Sequence, residues 1–337
     1  MVAQFDFDCR GSWLRVSMCR SLTTQSKTEP PAESLARACP VCLRANAEPF
    51  WHKGELRIVR CLACDRVYVN PAPAGLASGD FYNTEGAAYY LSPAKLASDY
   101  APVRYARELR LFREFCSRGR VLDAGCGSGG FLFQLRQRWP HAYELLGTDV
   151  SGAPLDYAES RGVAVARGSF LEQHFGDCPF DAITLWAVVE HLACPRAFLE
   201  KAHALLKPGG VCFVLVPNLR SLAVRLLGVK YRYVYSQHLN YFTATTLKQL
   251  GETVGFEIVT TRFTHFNPLV IWQDGRGGGR EVSNAERGAL LQQTTAYKQR
   301  WWLAPARWAY GLTERTLGAL GLADNVVAVL RKGQGAI

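Results

Sequence analysis

The chain has 337 residues, 48% of them apolar and 20% charged. Such a make-up excludes a fibrous chain and one too polar to fold, and the length predicts one large domain with a smaller module. A formal charge of +10 leaves an anionic partner open, but Lys and Arg occur in short pairs such as Arg331-Lys332 rather than in runs, which disfavours nucleic acid.

Residues 1–37 show no hydrophobic period, and TTQSKTEPPAES (23–34) has a linker's composition. This segment is expected to be flexible. The first twenty residues carry scattered charges and no apolar leader, and no stretch reaches the ~18 apolar residues of a membrane span. With eleven cysteines, an odd number, the expected setting is a reducing one, the cytoplasm.

Residues 38–75 hold Cys39, Cys42, Cys61 and Cys64 in the spacing C-x2-C-x18-C-x2-C. Two tight knuckles can bring four thiolates round one ion, the pattern of a zinc ribbon with a structural Zn2+. Two redox-active pairs are the alternative. NPAPAG (70–75) is a turn, and GDFYNTEGAAYY (79–90) has the character of an aromatic loop. Helix follows over 93–116, broken at Pro102. Region 76–118 is therefore a linker with helices lying over the ligand site. Tyr82, Tyr89 and Tyr90 either close over a ligand or pack on the core.

From residue 119 to 333 apolar strands alternate with helices. RVLDAG, AYELLGTDV, VAVARG, FDAITLW and VCFVLVPN are strands, with GFLFQLRQRW, APLDYAESRG and PRAFLEKAHALL between them. Continuous apolar runs separated by helices predict a doubly wound α/β sheet, mostly parallel and covered on both faces. TATTLKQLGETVG is a further helix and FEIVTTRF a strand. A Gly- and Trp-rich insert at about 265–320 should hold two helices before a last strand, ADNVVAVLRKG.

VLDAGCGSGGF (121–131) is the most informative stretch. A glycine-rich strand-to-helix turn lets a ligand approach the backbone and meet free N–H groups at a helix start. The same residues satisfy G-x-G-x-x-G, the dinucleotide fingerprint, and Asp149 at the end of the next strand suits a ribose in either reading. Asp123 separates the two. A carboxylate there would repel a pyrophosphate but would suit a ligand with an ammonium group.

These residues, with LLGTDVS (145–151), RGSFLE (167–172), FDAITLWAVVEHL (180–192), LLKPGGVCFVLVPN (205–218) and HLNYFTATTLKQLGETVGFEIV (238–259), resemble the class I S-adenosylmethionine-dependent methyltransferase family. The resemblance implies a Rossmann-like sheet whose last strand is antiparallel. Asp123, Gly125, Cys126 and Gly127 would line the methionine end of S-adenosylmethionine, and Asp149 would take the ribose. Val150 would lie beside the adenine, and Ser169 and Phe170 at its edge, where the family often has Asp-Phe. Leu185 and Trp186 would end the fourth strand under the sulfonium. The front cysteines and the Tyr-rich segment resemble the N-terminal module of a bacterial subgroup of that family.

Methyl transfer to a hydroxyl or an ammonium needs a proton acceptor. Glu190, His191 and His238 are the candidates at the rim where ligands sit in open α/β sheets. Some relatives bind a divalent ion through E-x-x-E-H here. This chain has Ala187 in place of the first carboxylate, which disfavours that reading. The acceptor is expected to be a small molecule, a glycan or a lipid-linked compound. The basic, aromatic stretches 219–237 and 297–320 wall its cleft, pack on the core or touch a membrane. An RNA methyltransferase and a non-catalytic binding module are the rival functions. Oligomeric state and acceptor atom have no signature in the sequence.

Overall fold

The computed structural model describes residues 34–78, 80–83, 85–300, 302 and 304–334. The expectation of a flexible start falls, for residues 1–33, outside them. Residues 34–37 are already built in: Ser34–Leu35 pairs antiparallel with Ala72–Pro73. Paired residues thus precede the expected boundary at 38. Three strands follow as an antiparallel meander: β1 (Ala47–Lys53), β2 (Leu56–Cys61) and β3 (Val67–Val69). Gly54 turns the first hairpin at φ +55°, a left-handed conformation that glycine adopts without a Cβ clash.

The segment expected to be an aromatic loop is instead helical, at Asp80–Asn83 and Glu85–Tyr90. The sequence of each is too short to show a helical period. Two helices then flank Pro102, α1 (Pro93–Asp99) and α2 (Ala106–Phe115).

The core strands are β4 (Gly119–Ala124), β5 (Tyr143–Asp149), β6 (Val165–Arg167), β7 (Phe180–Trp186) and β8 (Leu206–Pro217). After them come β9 (Asn240–Tyr241), β10 (Phe256–Thr264) and β11 (Asn325–Lys332). The main sheet has seven strands in the order β10-β11-β8-β7-β4-β5-β6. Pairs β4–β5, β5–β6, β4–β7 and β7–β8 are parallel, and β11 runs antiparallel to both its neighbours. The remaining helices are α3 (Gly130–Arg138), α4 (Gly152–Ser160), α5 (Pro195–Leu205), α6 (Leu222–Leu227), α7 (Ala244–Thr253), α8 (Pro268–Arg276), α9 (Asn284–Gln299) and α10 (Ala304–Ala319). The insert after residue 265 therefore carries three helices, not two. Its breaks follow Arg276, at a run of glycines, and Gln299.

Alternation along the strands explains why the sheet is buried on both sides. Leu122, Ile183, Leu185, Cys212 and Val214 enter one apolar cluster. Their neighbours Val121, Ala182, Phe213 and Leu215 enter the other. Successive side chains of a strand point to opposite faces, so a run without polar residues needs cover on both. Each large side chain so buried contributes about 1.5–3 kcal/mol.

The short β9 belongs to the other sheet, in the order β9-β3-β2-β1. The front module and the core are thus joined through a shared sheet. Immediately after β9, Thr243 caps α7, exchanging hydrogen bonds with Thr246 in a capping box.

Candidate functional site

The chain leaves β4 for β5 and β6 on one side, then crosses to β7 on the other. The crevice at the carboxyl ends of β4 and β7 is the topological switch point where open α/β sheets bind ligands. The Gly125–Gly129 turn and the loop Ala187–His191 both end there.

Gly125, Gly127 and Gly129 all have positive φ, at +82°, +51° and +77°. A Cβ on Gly125 would lie 2.5 Å from Val188, so the glycine lets the two loops touch. A Cβ on Gly127 would meet only the Tyr90 ring, at 3.6 Å, which puts Tyr90 over the turn. The Cys126 thiol lies 3.7 Å from the Gly127 carbonyl. It packs against Gly147 of β5, where a Cβ would lie 2.6 Å from its sulfur.

Asp149 ends β5 with both carboxylate oxygens held. One accepts the Gly127 N–H at 2.8 Å and the other the Ser151 N–H at 2.9 Å. Burial raises its pKa and those hydrogen bonds oppose the rise. Asp123 is buried in the sheet and accepts the Thr184 hydroxyl at 2.6 Å. Burial pushes its carboxyl up to about 7, so a cation brought near it would favour ionisation.

The other expected ligand contacts divide. Val150 and Ser169 are half-buried after β5 and β6. Phe170 is buried against Phe175 and Phe198, and Leu185 lies in the core. Trp186 packs on Phe131 and Phe213.

Glu190, His191 and His238 come together, their ligand-type atoms all within 4.8 Å of one another. Ala187 opens the loop at φ +56°, a strained conformation for a residue with a Cβ. Two residues on, Val189–His191 forms a single 3-10 turn. His191 donates from Nδ1 to the Gln237 carbonyl at 2.8 Å, which leaves Nε2 as a lone pair, 4.0 Å from Glu190. The His238 backbone N–H donates to the Tyr235 carbonyl at 3.1 Å, while its ring Nδ1 is buried without a hydrogen-bond partner among the described residues. Glu190 Oε2 is likewise buried and unpartnered. Burial pushes Glu190 up to about 8, His191 down to about 4 and His238 well below its usual value, helped by His191 and Arg287. At neutral pH the cluster is a protonated carboxyl beside two uncharged imidazoles.

Aromatic rings surround it. Tyr82 lies 5.9 Å from His191, and Tyr233, Tyr235 and Tyr241 lie 6.0, 4.5 and 6.4 Å from His238. Arg287 of α9 sits over Tyr235 at 3.9 Å. The Tyr82 carbonyl accepts the Ser151 hydroxyl, so one residue links the Asp149 end to the histidines. Among these, Arg287 and the Ala187 strain escaped the sequence reading, while Tyr233 and Tyr235 belong to the stretch 219–237 that the sequence offers as a cleft wall. The signal in that stretch was the density of tyrosines in YRYVYSQ (231–237).

The four cysteines also converge. Cys39 and Cys64 sulfurs are 3.5 Å apart, as are Cys42 and Cys61, and all four lie within 4.8 Å of one another. Four sulfurs ~2.3 Å from a zinc ion stand ~3.8 Å apart, so this set fits that ion. The closeness crosses between the two C-x2-C knuckles, as a tetrahedral site needs and two separate redox pairs do not.

A glycine turn at a switch point with a strand-end acidic residue defines a nucleotide-type binding fold. Comparison narrows the class. A family model for a methyltransferase domain matches residues 98–261. A ubiquinone biosynthesis O-methyltransferase of Dinoroseobacter shibae is 31% identical over 186 residues, 49% of this chain and 70% of the relative. One from Ruegeria pomeroyi is 31% identical over 213 residues, 55% of this chain and 79% of the relative. The structure of a SAM-dependent methyltransferase from Archaeoglobus fulgidus overlays with a TM-score of 0.46 at 19% identity, covering 74% of this chain and all of that one. The chain belongs to the class I S-adenosylmethionine-dependent methyltransferase family, and it is an enzyme of that activity.

Proposed function

We propose that this methyltransferase acts on a hydroxyl of a small, ring-bearing molecule, and that His238 takes the hydroxyl proton. The observation that carries the reading is the His238 Nδ1 atom, buried among tyrosines with no hydrogen-bond partner among the described residues. The O-methyltransferase names of the relatives support a hydroxyl. The aromatic walls support a flat or ring-shaped acceptor.

When bound, S-adenosylmethionine supplies an activated methyl group on a sulfonium. Asp149 would hold its ribose, the turn at Gly125 and Gly127 its methionine end beside Asp123, and Val150 and Ser169 would flank the base. Glu190 keeps its own proton at neutral pH, so no second negative charge faces the hydroxyl. His238 is uncharged and ready to accept a proton. The tyrosines exclude water from the reacting groups. His238→Ala is expected to lose roughly 10²–10⁴ in turnover, measured with labelled donor and a panel of hydroxylated ring compounds, with donor affinity and melting temperature unchanged. A joint fall in all three would make His238 a structural residue.

The division of labour that fits is a front module at 38–75 holding a structural zinc ion, helices of 76–118 over the cofactor, and a catalytic domain at 119–333. A bilayer contact also has support. Among the described residues no helix is long and apolar enough to cross a membrane. On α10, however, Trp308 and Leu312 are 73% and 52% exposed, one turn apart. Among the described side chains of α10 Arg315 is exposed, while Glu314 turns inward to Arg107. An apolar stripe beside a cation suits an anionic lipid surface. Sedimentation with phosphatidylglycerol vesicles at low salt should be lost in a Trp308→Asp, Leu312→Asp variant. Equal sedimentation of both proteins would contradict this.

A further inference from the structure

We propose that the cysteine module is the clamp that positions the Glu190–His191–His238 cluster, acting through Arg37, the β3–β9 pairing and Arg66. The inference rests on the proposed role of that cluster, but its geometry stands apart from the proton step.

His238 is followed directly by residues whose backbone pairs with the ribbon. Asn240 and Tyr241 register against Tyr68 and Val67, and the Val69 N–H donates to the Leu239 carbonyl at 2.9 Å. A two-residue strand does not hold itself, so the His238 segment takes its position from β3.

Arg37 makes the second tie. Its guanidinium donates to the Val69 carbonyl of β3 at 2.9 Å, to the Ala193 carbonyl at 3.0 Å and to the Leu239 carbonyl at 2.5 Å. One side chain therefore spans the ribbon, the chain just after His191 and the chain just after His238. Asn240 completes the link by donating to the Leu192 and Val189 carbonyls at 2.7 and 3.2 Å. At the far end of the module, Lys53 donates to the Val234 carbonyl at 2.7 Å, between the two tyrosines that face His238.

Arg66 connects the cysteines to this clamp. It is 1% exposed, lies over the Phe242 ring at 4.1 Å and donates to the Thr246 carbonyl of α7. Its Nε and Nη1 have no hydrogen-bond partner among the described residues, and its backbone carbonyl accepts the Cys61 N–H at 2.8 Å. A zinc ion held by four thiolates carries a net negative charge. A guanidinium with two unpaired donors, on the residue whose carbonyl accepts the Cys61 N–H, supplies a counter-charge for such a centre. Metal loading is thereby tied to Phe242 and Thr246, the residues that continue β9.

Hydrogen exchange read by mass spectrometry tests this on the full chain, zinc-loaded and after chelation under reducing conditions. Protection should fall at least tenfold in 188–194 and 236–243 together with 38–69, while β4 and β8 keep theirs. Loss confined to 38–69 would overturn the proposal. Arg37→Met, with zinc retained, should loosen 188–194 and 236–241 alone; an unchanged pattern there would also overturn it. Arg66→Met should release zinc to a chromogenic chelator at least tenfold faster, and an unchanged rate would remove Arg66 from the clamp. If the coupling is seen but His238→Ala keeps full turnover, the proton role fails and the clamp stands.

Discussion

Glu190→Gln offers a perturbation whose size follows from burial alone. The Glu190 carboxyl is 1% exposed, and burial lifts it from 4.5 to about 8 in the folded chain. Below pH 4.5 the group is protonated in both folded and unfolded states, and its contribution to stability is fully present. Between pH 4.5 and 8 the unfolded chain gives up the proton and the folded chain keeps it, so stability falls as pH rises. Each pH unit across that window is worth about 1.4 kcal/mol. From pH 5 to pH 8 the loss reaches on the order of 4 kcal/mol. Glutamine has nearly the shape of the protonated acid and does not titrate. The variant should therefore match the parent at pH 5 within about 1 kcal/mol and exceed it at pH 8 by on the order of 4 kcal/mol. Urea unfolding of both proteins at pH 5, 6.5 and 8, with metal-free buffers, measures this. A difference that stays flat over the range would refute the reasoning, since Glu190 would then be ionised in the folded protein.

Asp149→Ala should weaken S-adenosylmethionine binding by about 1.5–3 kcal/mol, the range for a hydrogen bond to a charged group; calorimetric titration giving an unchanged Kd would take the ribose away from Asp149. Protein purified under reducing conditions should contain one zinc ion per chain by elemental analysis, and Cys39→Ser should lose most of it. Full zinc occupancy in that variant would contradict a four-cysteine centre.

The parallel sheet could be read from the sequence because its strands lie in both apolar clusters and so carry no polar alternation. Asp149 and the glycine turn were legible because the turn's positive φ values demand glycine and the acidic residue closes the next strand. What was not legible depends on contacts distant in the chain. Arg37 looks like linker, yet its partners lie at 69, 193 and 239. The pairing of β9 involves two residues, too few to show a strand period. The helices at Asp80–Asn83 and Glu85–Tyr90 are held by packing over the turn rather than by propensity. Ala187 gives no hint of its positive φ, because alanine has no sequence preference for that conformation. Glu190, His191 and His238 were placed at one rim from chain order, but their approach to within 4.8 Å of one another is a contact that the sequence does not display.

A crystal structure with S-adenosylhomocysteine would test the assignment of the cleft most directly. The ribose should sit on Asp149, and the sulfur should face the Glu190–His191–His238 cluster within about 8 Å of His238 Nδ1. That span leaves room for a methyl group and an acceptor oxygen at reacting distance. A ligand whose sulfur points away from the cluster, or whose ribose lies off Asp149, would contradict it.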